Sequence, residues 1–178
     1  MRSLSPKEFI QQVFIDEVGD LIEKHPYIAF MIMGIGIEFL GKCLASEDSN
    51  WDVEGKSRSS FKNAVESLSS LKKYEPYLNK DEHDLYGSLR CGLAHAAKPK
   101  YKITLSSKNE MAHLVEFGDR LNLRCEDFYS DIKAASEEVI AKNFADIDKM
   151  NGRFLAIPNY AMNVDANIAT AVTESFSR

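Results

Sequence analysis

Arg90 and His95 lie in Leu89-Arg90-Cys91-Gly92-Leu93-Ala94-His95, and Lys98, Lys100 and Lys102 follow at alternate positions. A guanidinium is a fixed positive charge with a planar fork that fits phosphate, and an imidazole exchanges a proton near neutral pH. Together they suit cleavage of a phosphodiester without a metal. His95 would take the proton from an RNA 2′-hydroxyl or return one to the leaving oxygen, and Arg90 would stabilise the charge of a phosphorane-like transition state. Lys98, Lys100 and Lys102 are candidate phosphate contacts. On a straight helix each residue turns the chain by about 100°, which sets the Arg90 and His95 side chains roughly 140° apart. A combined site therefore needs a distortion near Gly92, a helix end, or a second subunit.

Structural roles compete with this chemistry. Glu38 is an acid in an otherwise apolar stretch, and a buried charge needs a partner, so Glu38 and Arg90 are candidates for one ion pair. His95 near a helix end suits the negative pole of the dipole. Cys91 and His95, four residues apart, share a helical face, which raises a metal ligand pair or a Cys-His nucleophile. No second Cys/His pair with metal-like spacing accompanies them, so neither a metal nor a cofactor is expected. Alternating lysines also protect the edge of a strand. His83 and His113 are isolated in polar surroundings and read as solvated.

The elements that hold these residues are mostly helical. Ser5-Pro6-Lys7-Glu8 has the form of a capping box, and Phe9, Ile10, Val13, Phe14, Leu21 and Ile22 repeat at helical spacing until His25-Pro26. The spacing predicts helices over 5–24, 26–45, 58–73, 80–97 and 125–150. The second is apolar on most sides, and Gly34, Gly36 and Gly41 let neighbouring backbones approach it. Ser46 to Lys56 reads as a loop that Trp51 anchors, and Pro76 and Pro99 disrupt the third and fourth helices. Phe9, Phe14, Phe30, Phe39 and Phe61 occupy core positions.

Between 101 and 124 the period changes. Tyr101, Ile103 and Leu105 alternate with Lys102, Thr104 and Ser106, as in a half-buried strand. His113 to Phe117 and Leu121 to Arg124 form a hairpin around Gly118-Asp119-Arg120. A short strand at Phe154 to Ile157 lies in a C-terminal tail over 153–178.

A chain of 178 residues with 44% hydrophobic content fits a single domain spanning 1–178. Its net charge of −5 argues against a surface that coats nucleic acid indiscriminately, while leaving room for a local basic patch. Cys43, Cys91 and Cys125 are odd in number and lie among apolar residues, which points to free thiols and a cytoplasmic location. The apolar run from Ile28 to Ile37 falls short of the roughly 20 residues that cross a bilayer, so no membrane is expected. No Gly-rich phosphate loop supports a nucleotide site.

Ile37-Glu38-Phe39-Leu40-Gly41 on a buried helix, followed by a helix ending in Tyr86-Gly87-Ser88-Leu89-Arg90-Cys91-Gly92-Leu93-Ala94-His95, resembles the HEPN superfamily. The recurrent feature of these helical proteins is an Arg followed, after a few residues, by a His. The resemblance covers the bundle, roughly the first hundred residues plus the helix after the hairpin, and leaves the sheet and tail unexplained. It implies a mainly α helical bundle with a small antiparallel β insertion. It further implies a homodimer that pairs two Arg-His helices in one cleft, and RNA binding or metal-independent RNA cleavage in a defence or toxin-like role. Active members often carry a polar residue, frequently Asn, directly after the Arg, where this chain has Cys91. The competing reading is a non-catalytic helical dimerisation module in which Arg90 and His95 are structural.

Overall fold

The computed structural model describes residues 2–44, 55–79, 81–100, 102–108, 110–142 and 155–157. The fold is mainly helical with a small sheet insertion. Ser5 caps the first helix as its sequence demands: its hydroxyl accepts from the Glu8 amide at 3.3 Å, and the Glu8 carboxylate accepts from the Ser5 amide at 2.8 Å. This helix runs over 6–24, with α turns at Pro6–Phe9 and Val18–Lys24 on either side of a π-helical stretch, Ile10–Glu17. The wider turn brings residues five apart into line, and Gln11 donates to Asp16 at 2.9 Å and Gln12 to Glu17 at 3.0 Å.

The central helix, Pro26–Cys43, carries much of the core through Ala29, Phe30, Met33, Ile37, Leu40 and Cys43. It is 18 residues long with a mean hydropathy of 1.3, so by length and composition it passes as a membrane span, longer than the apolar run in the sequence suggests. In this fold 56% of it is buried against other elements. Phe14, Phe30 and Phe61 are buried, and Phe9 and Phe39 pack beside Phe14 with ring centroids 5.1–5.6 Å apart. Gly41 is where backbone approach matters most: a Cβ there would sit 1.7 Å from the Ser60 carbonyl oxygen of the third helix, Ser57–Ser67. Asn63 on that helix donates its amide to the Gly41 carbonyl at 3.2 Å.

Three helix limits differ from the sequence reading. The third helix stops at Ser67, and the chain re-enters as a 3-10 helix, Lys72–Leu78, that contains Pro76 rather than ending before it. The fourth helix starts at Tyr86 instead of 80, because Asp84 adopts a positive φ of 43° and breaks the preceding turn. The last helix, Cys125–Ala141, ends where Lys142 turns extended, and 143–150 lies outside the described residues. So do Trp51 and the tail beyond 157.

The insertion is a mixed sheet in the order β2-β4-β3, with β2 at Ile103–Ser106, β3 at Glu116–Phe117 and β4 at Arg120–Arg124. The hairpin is antiparallel as expected, pairing Glu116 with Leu121 and Phe117 with Arg120 around Gly118 at φ 61°. The first strand, however, joins it in parallel, Ile103 opposite Leu121 and Ser106 opposite Arg124. β4 is thus the central strand. Leu121, Asn122 and Leu123 are all buried, so β4 lacks the alternation that betrays a strand with one wet face. A separate antiparallel pair joins β1, Arg2–Leu4, to β5, Leu155–Ile157. Sequence reading expected β5 but not its partner at the N-terminus.

Candidate functional site

The fourth helix begins at a polar knot. The Asp84 carboxylate accepts the Gly87 amide at 3.1 Å and takes the Arg58 guanidinium through both oxygens, at 2.7 and 3.3 Å. These bonds hold Asp84 below the usual carboxylate range although burial opposes ionisation. Arg58 lies 4.5 Å above the Tyr86 ring, and Arg90 lies 5.8 Å from the same ring. The first turns, Tyr86–Cys91, are π-helical, and the chain returns to α geometry over Gly92–Ala96. The π turn aligns Tyr86 with Cys91, and burial together with a bond to Cys91 raises the Tyr86 phenol.

Arg90 leaves this helix toward the central one. Its Nη2 stands 2.6 Å from Glu38 Oε2, while Lys42 Nζ stands 2.9 Å from Glu38 Oε1. Glu38 is buried, and burial alone would favour its neutral form. Hydrogen bonds from Lys42 and Ser57 and the charges of Arg90 and Lys42 outweigh that cost and lower its pKa. The guanidinium is held at one end only, since Arg90 Nε is buried without a hydrogen-bond partner among the described residues. The structure thus contains the Glu38–Arg90 pair that the sequence offered as the structural role of these residues.

His95 takes a different course. The helix ends at Ala97, in the left-handed region with φ 51°, and the Tyr27 hydroxyl donates to the Ala97 carbonyl at 2.6 Å. The chain then folds back so that the Lys100 amide donates to the Ser88 carbonyl at 2.9 Å. Gly92 permits this return: a Cβ there would lie 2.8 Å from the Lys98 carbonyl oxygen and 3.0 Å from the Lys100 amide nitrogen. Between the helix and the returning chain lies a cleft of about 580 Å³ lined by Cys91, Gly92, His95, Ala96, Lys98, Pro99 and Lys100. His95, Lys98 and Lys100 are exposed, and His95 makes no hydrogen bond or ion pair with the described residues.

Four of the sequence-selected residues, Cys91, His95, Lys98 and Lys100, therefore share one cleft. Arg90 and Glu38 do not line it, and Lys102 points away, donating to the Asp81 carbonyl at 2.8 Å. Cys91 and His95 share a face as their spacing requires. Among the described residues no group of three or more His, Cys, Asp or Glu gathers as metal ligands. All three cysteines are free, and burial pushes the Cys43 and Cys125 thiols up to about 12.

Sequence reading missed a second buried polar cluster, and here His113 corrects it. Its side chain is 10% exposed, not solvated. Its Nδ1 accepts the Arg124 amide at 3.0 Å and its Nε2 lies 2.7 Å from the Tyr74 hydroxyl, which donates to Asp131 at 2.5 Å. Lys73 pairs with Asp131 at 2.7 Å. No local pattern announces this cluster, because Tyr74 lies 39 residues from His113 and 57 from Asp131 in sequence. His83 is likewise half-buried, its ring edge-on to Tyr77 at 5.4 Å.

Comparisons with protein-family models, curated proteins and solved structures give no match.

Proposed function

We propose that the chain is a HEPN-like protein that binds RNA and cleaves it without a metal, acting as a cytoplasmic homodimer in a defence or toxin-like setting. The observation that carries this reading is His95: an exposed imidazole with no internal partner, in a cleft it shares with Lys98 and Lys100 and, among its described lining residues, no carboxylate. Two lysines hold a phosphate there as point charges. His95 takes the proton of a 2′-hydroxyl, the oxygen attacks the adjacent phosphorus, and the 5′ oxygen leaves with a proton, giving a 2′,3′-cyclic phosphate and a 5′-hydroxyl. Arg90, oriented by Glu38, reaches such a phosphate from a partner copy rather than from its own cleft.

A second reading has its own observation. Because Arg90 is paired with a buried acid, it has a structural role without RNA, and the central helix exposes Tyr27, Ile28 and Ile35 at 43%, 47% and 44%. Such a face suits a non-catalytic dimerisation module. Incubating the protein with mixed RNA in chelator separates the two. Cleavage with cyclic-phosphate ends, lost in His95→Ala at unchanged thermal stability, is the expected result. Cleavage that persists in His95→Ala removes His95 as the catalyst, and a wild-type dimer that neither cleaves nor retains RNA favours the second reading.

A further inference from the structure

His113 sits in the loop between β2 and β3 and is, beside the Lys108 amide that donates to Glu126 at 2.8 Å, a polar tie between the insertion and the helical bundle. The two nitrogens of its ring are committed differently. Nδ1 accepts the backbone N–H of Arg124, at the point where β4 becomes the last helix, so the ring proton of the neutral form lies on Nε2. That proton is donated to the Tyr74 hydroxyl of the 3-10 helix, and Tyr74 in turn donates to Asp131 of the last helix. Three elements meet on one neutral imidazole. Tyr74 is fully buried, and the Tyr74 and Phe128 rings flank His113 with centroids 5.8 and 6.5 Å away.

We propose that His113 is an acid-released latch: neutral, it clamps the 110–119 segment to the bundle, and protonation of Nδ1 expels the ring and frees that segment. An imidazolium donates from both nitrogens, so protonated Nδ1 would face the Arg124 N–H donor to donor, leaving that part-buried amide without an acceptor. The charged groups facing the ring do not rescue it. Asp131, with an oxygen 3.7 Å from Nε2, and Asp127 favour a charged ring, while Lys73 and Arg124 oppose it, and each acid is already paired, Asp131 with Lys73 and Asp127 with Arg124. Burial, the largest influence, keeps the ring neutral and lowers its pKa from 6.5. A histidine with a lowered folded value stabilises the clamped state fully above about 6.5, and that contribution is lost as pH falls from there through the folded value.

The segment's other bonds run to Asn122 of β4, beside the Arg124 amide, and open with the ring. The Asn122 side chain donates to the Ser106 hydroxyl and to the Ala112 carbonyl at 2.9 Å, and the Leu114 amide donates to the Asn122 carbonyl at 2.9 Å. Opening is therefore local, and the bundle has no reason to unfold with it.

Amide hydrogen exchange of the full chain at pH 7.5 and 5.0, corrected for intrinsic rates, tests the latch. At pH 5.0 the wild-type amides of Leu114, Asn122 and Arg124 should lose about tenfold in protection while the Pro26–Cys43 helix keeps its own. In His113→Asn, whose side-chain oxygen can accept the Arg124 amide but cannot titrate, that pH dependence should vanish. An equal response in His113→Asn, no response in wild type, or equal loss along the central helix would each overturn the latch. Should His113→Asn fail to fold, ring ¹⁵N shifts of wild-type His113 decide instead. Nδ1 unprotonated at pH 7.5, with its protonation tracking the exchange, supports the proposal, and a proton on Nδ1 at pH 7.5 ends it.

Discussion

Replacing Glu38 with Gln separates the role of Arg90 in folding from any role in chemistry. The change keeps the shape of the side chain and removes its charge, leaving Arg90 and Lys42 beside a neutral amide. Breaking a fully buried ion pair by deleting one partner costs roughly 3–5 kcal/mol. The Arg90 and Lys42 side chains keep 17% and 23% exposure, so water recovers part of that, and about 2 kcal/mol is the expected loss. For a chain of this size that lowers Tm by roughly 4–8 °C. The pH dependence follows from the lowered pKa of Glu38: its contribution is complete above the ordinary value of 4.5 and disappears as pH falls through the folded value. Urea unfolding followed by circular dichroism should show a constant gap between wild type and Glu38→Gln from about pH 6 to 8, closing in acid. Arg90→Met should lose a similar amount, and Glu38→Met with Arg90→Met should recover part of it, because the more buried guanidinium is then gone and Lys42, at 23% exposure, reaches water. A gap below about 0.5 kcal/mol at neutral pH, or one that persists unchanged in acid, would refute the reasoning.

Two further outcomes test the packing around the site. Gly41→Ala gains helix propensity worth about 1 kcal/mol, but its Cβ would sit 1.7 Å from the Ser60 carbonyl oxygen. Because the obstacle is backbone, the two helices must separate, and a net loss of at least about 2 kcal/mol in urea unfolding is expected. A thiol-specific reagent should label Cys91 alone in the native protein and all three cysteines once it is unfolded, since Cys43 and Cys125 are buried with thiols near 12. Rapid native labelling of Cys43 would contradict the burial of the central helix.

The sequence was most informative where a residue and its partner lie close together. The capping box at Ser5 and Glu8, the helical period through Phe14 and the turn at Gly118 are local signals: the first forms as read, the second as a helix with a π-helical stretch, and the third as a tighter turn with Arg120 already in the strand. Asp84 was opaque because its positive φ depends on Arg58, a partner 26 residues away, and so the start of the fourth helix moved. The parallel β2–β4 pairing was hidden for a related reason: a buried central strand shows no alternation, and register then rests on Asn122, whose side chain reaches across to Ser106 and Ala112.

The Arg90–His95 segment joins both cases. Its residues were recognisable at once, yet the direction each one faces is set by distant groups. Glu38, itself held by Lys42, fixes Arg90 on one side, while Gly92 lets Lys98 and Lys100 fold back beside exposed His95 on the other. A helix that divides its guanidinium and its imidazole between two faces cannot aim both at one phosphate within a single copy. If the protein cleaves RNA as proposed, this pair needs a second copy, and the test follows directly: charge placed at exposed Ile28 or Ile35 to block such a dimer should keep the Glu38–Arg90 contribution to stability and lose any RNA cleavage. A monomer that cleaves at the wild-type rate would show that Lys98 and Lys100 suffice and that Arg90 serves the fold alone.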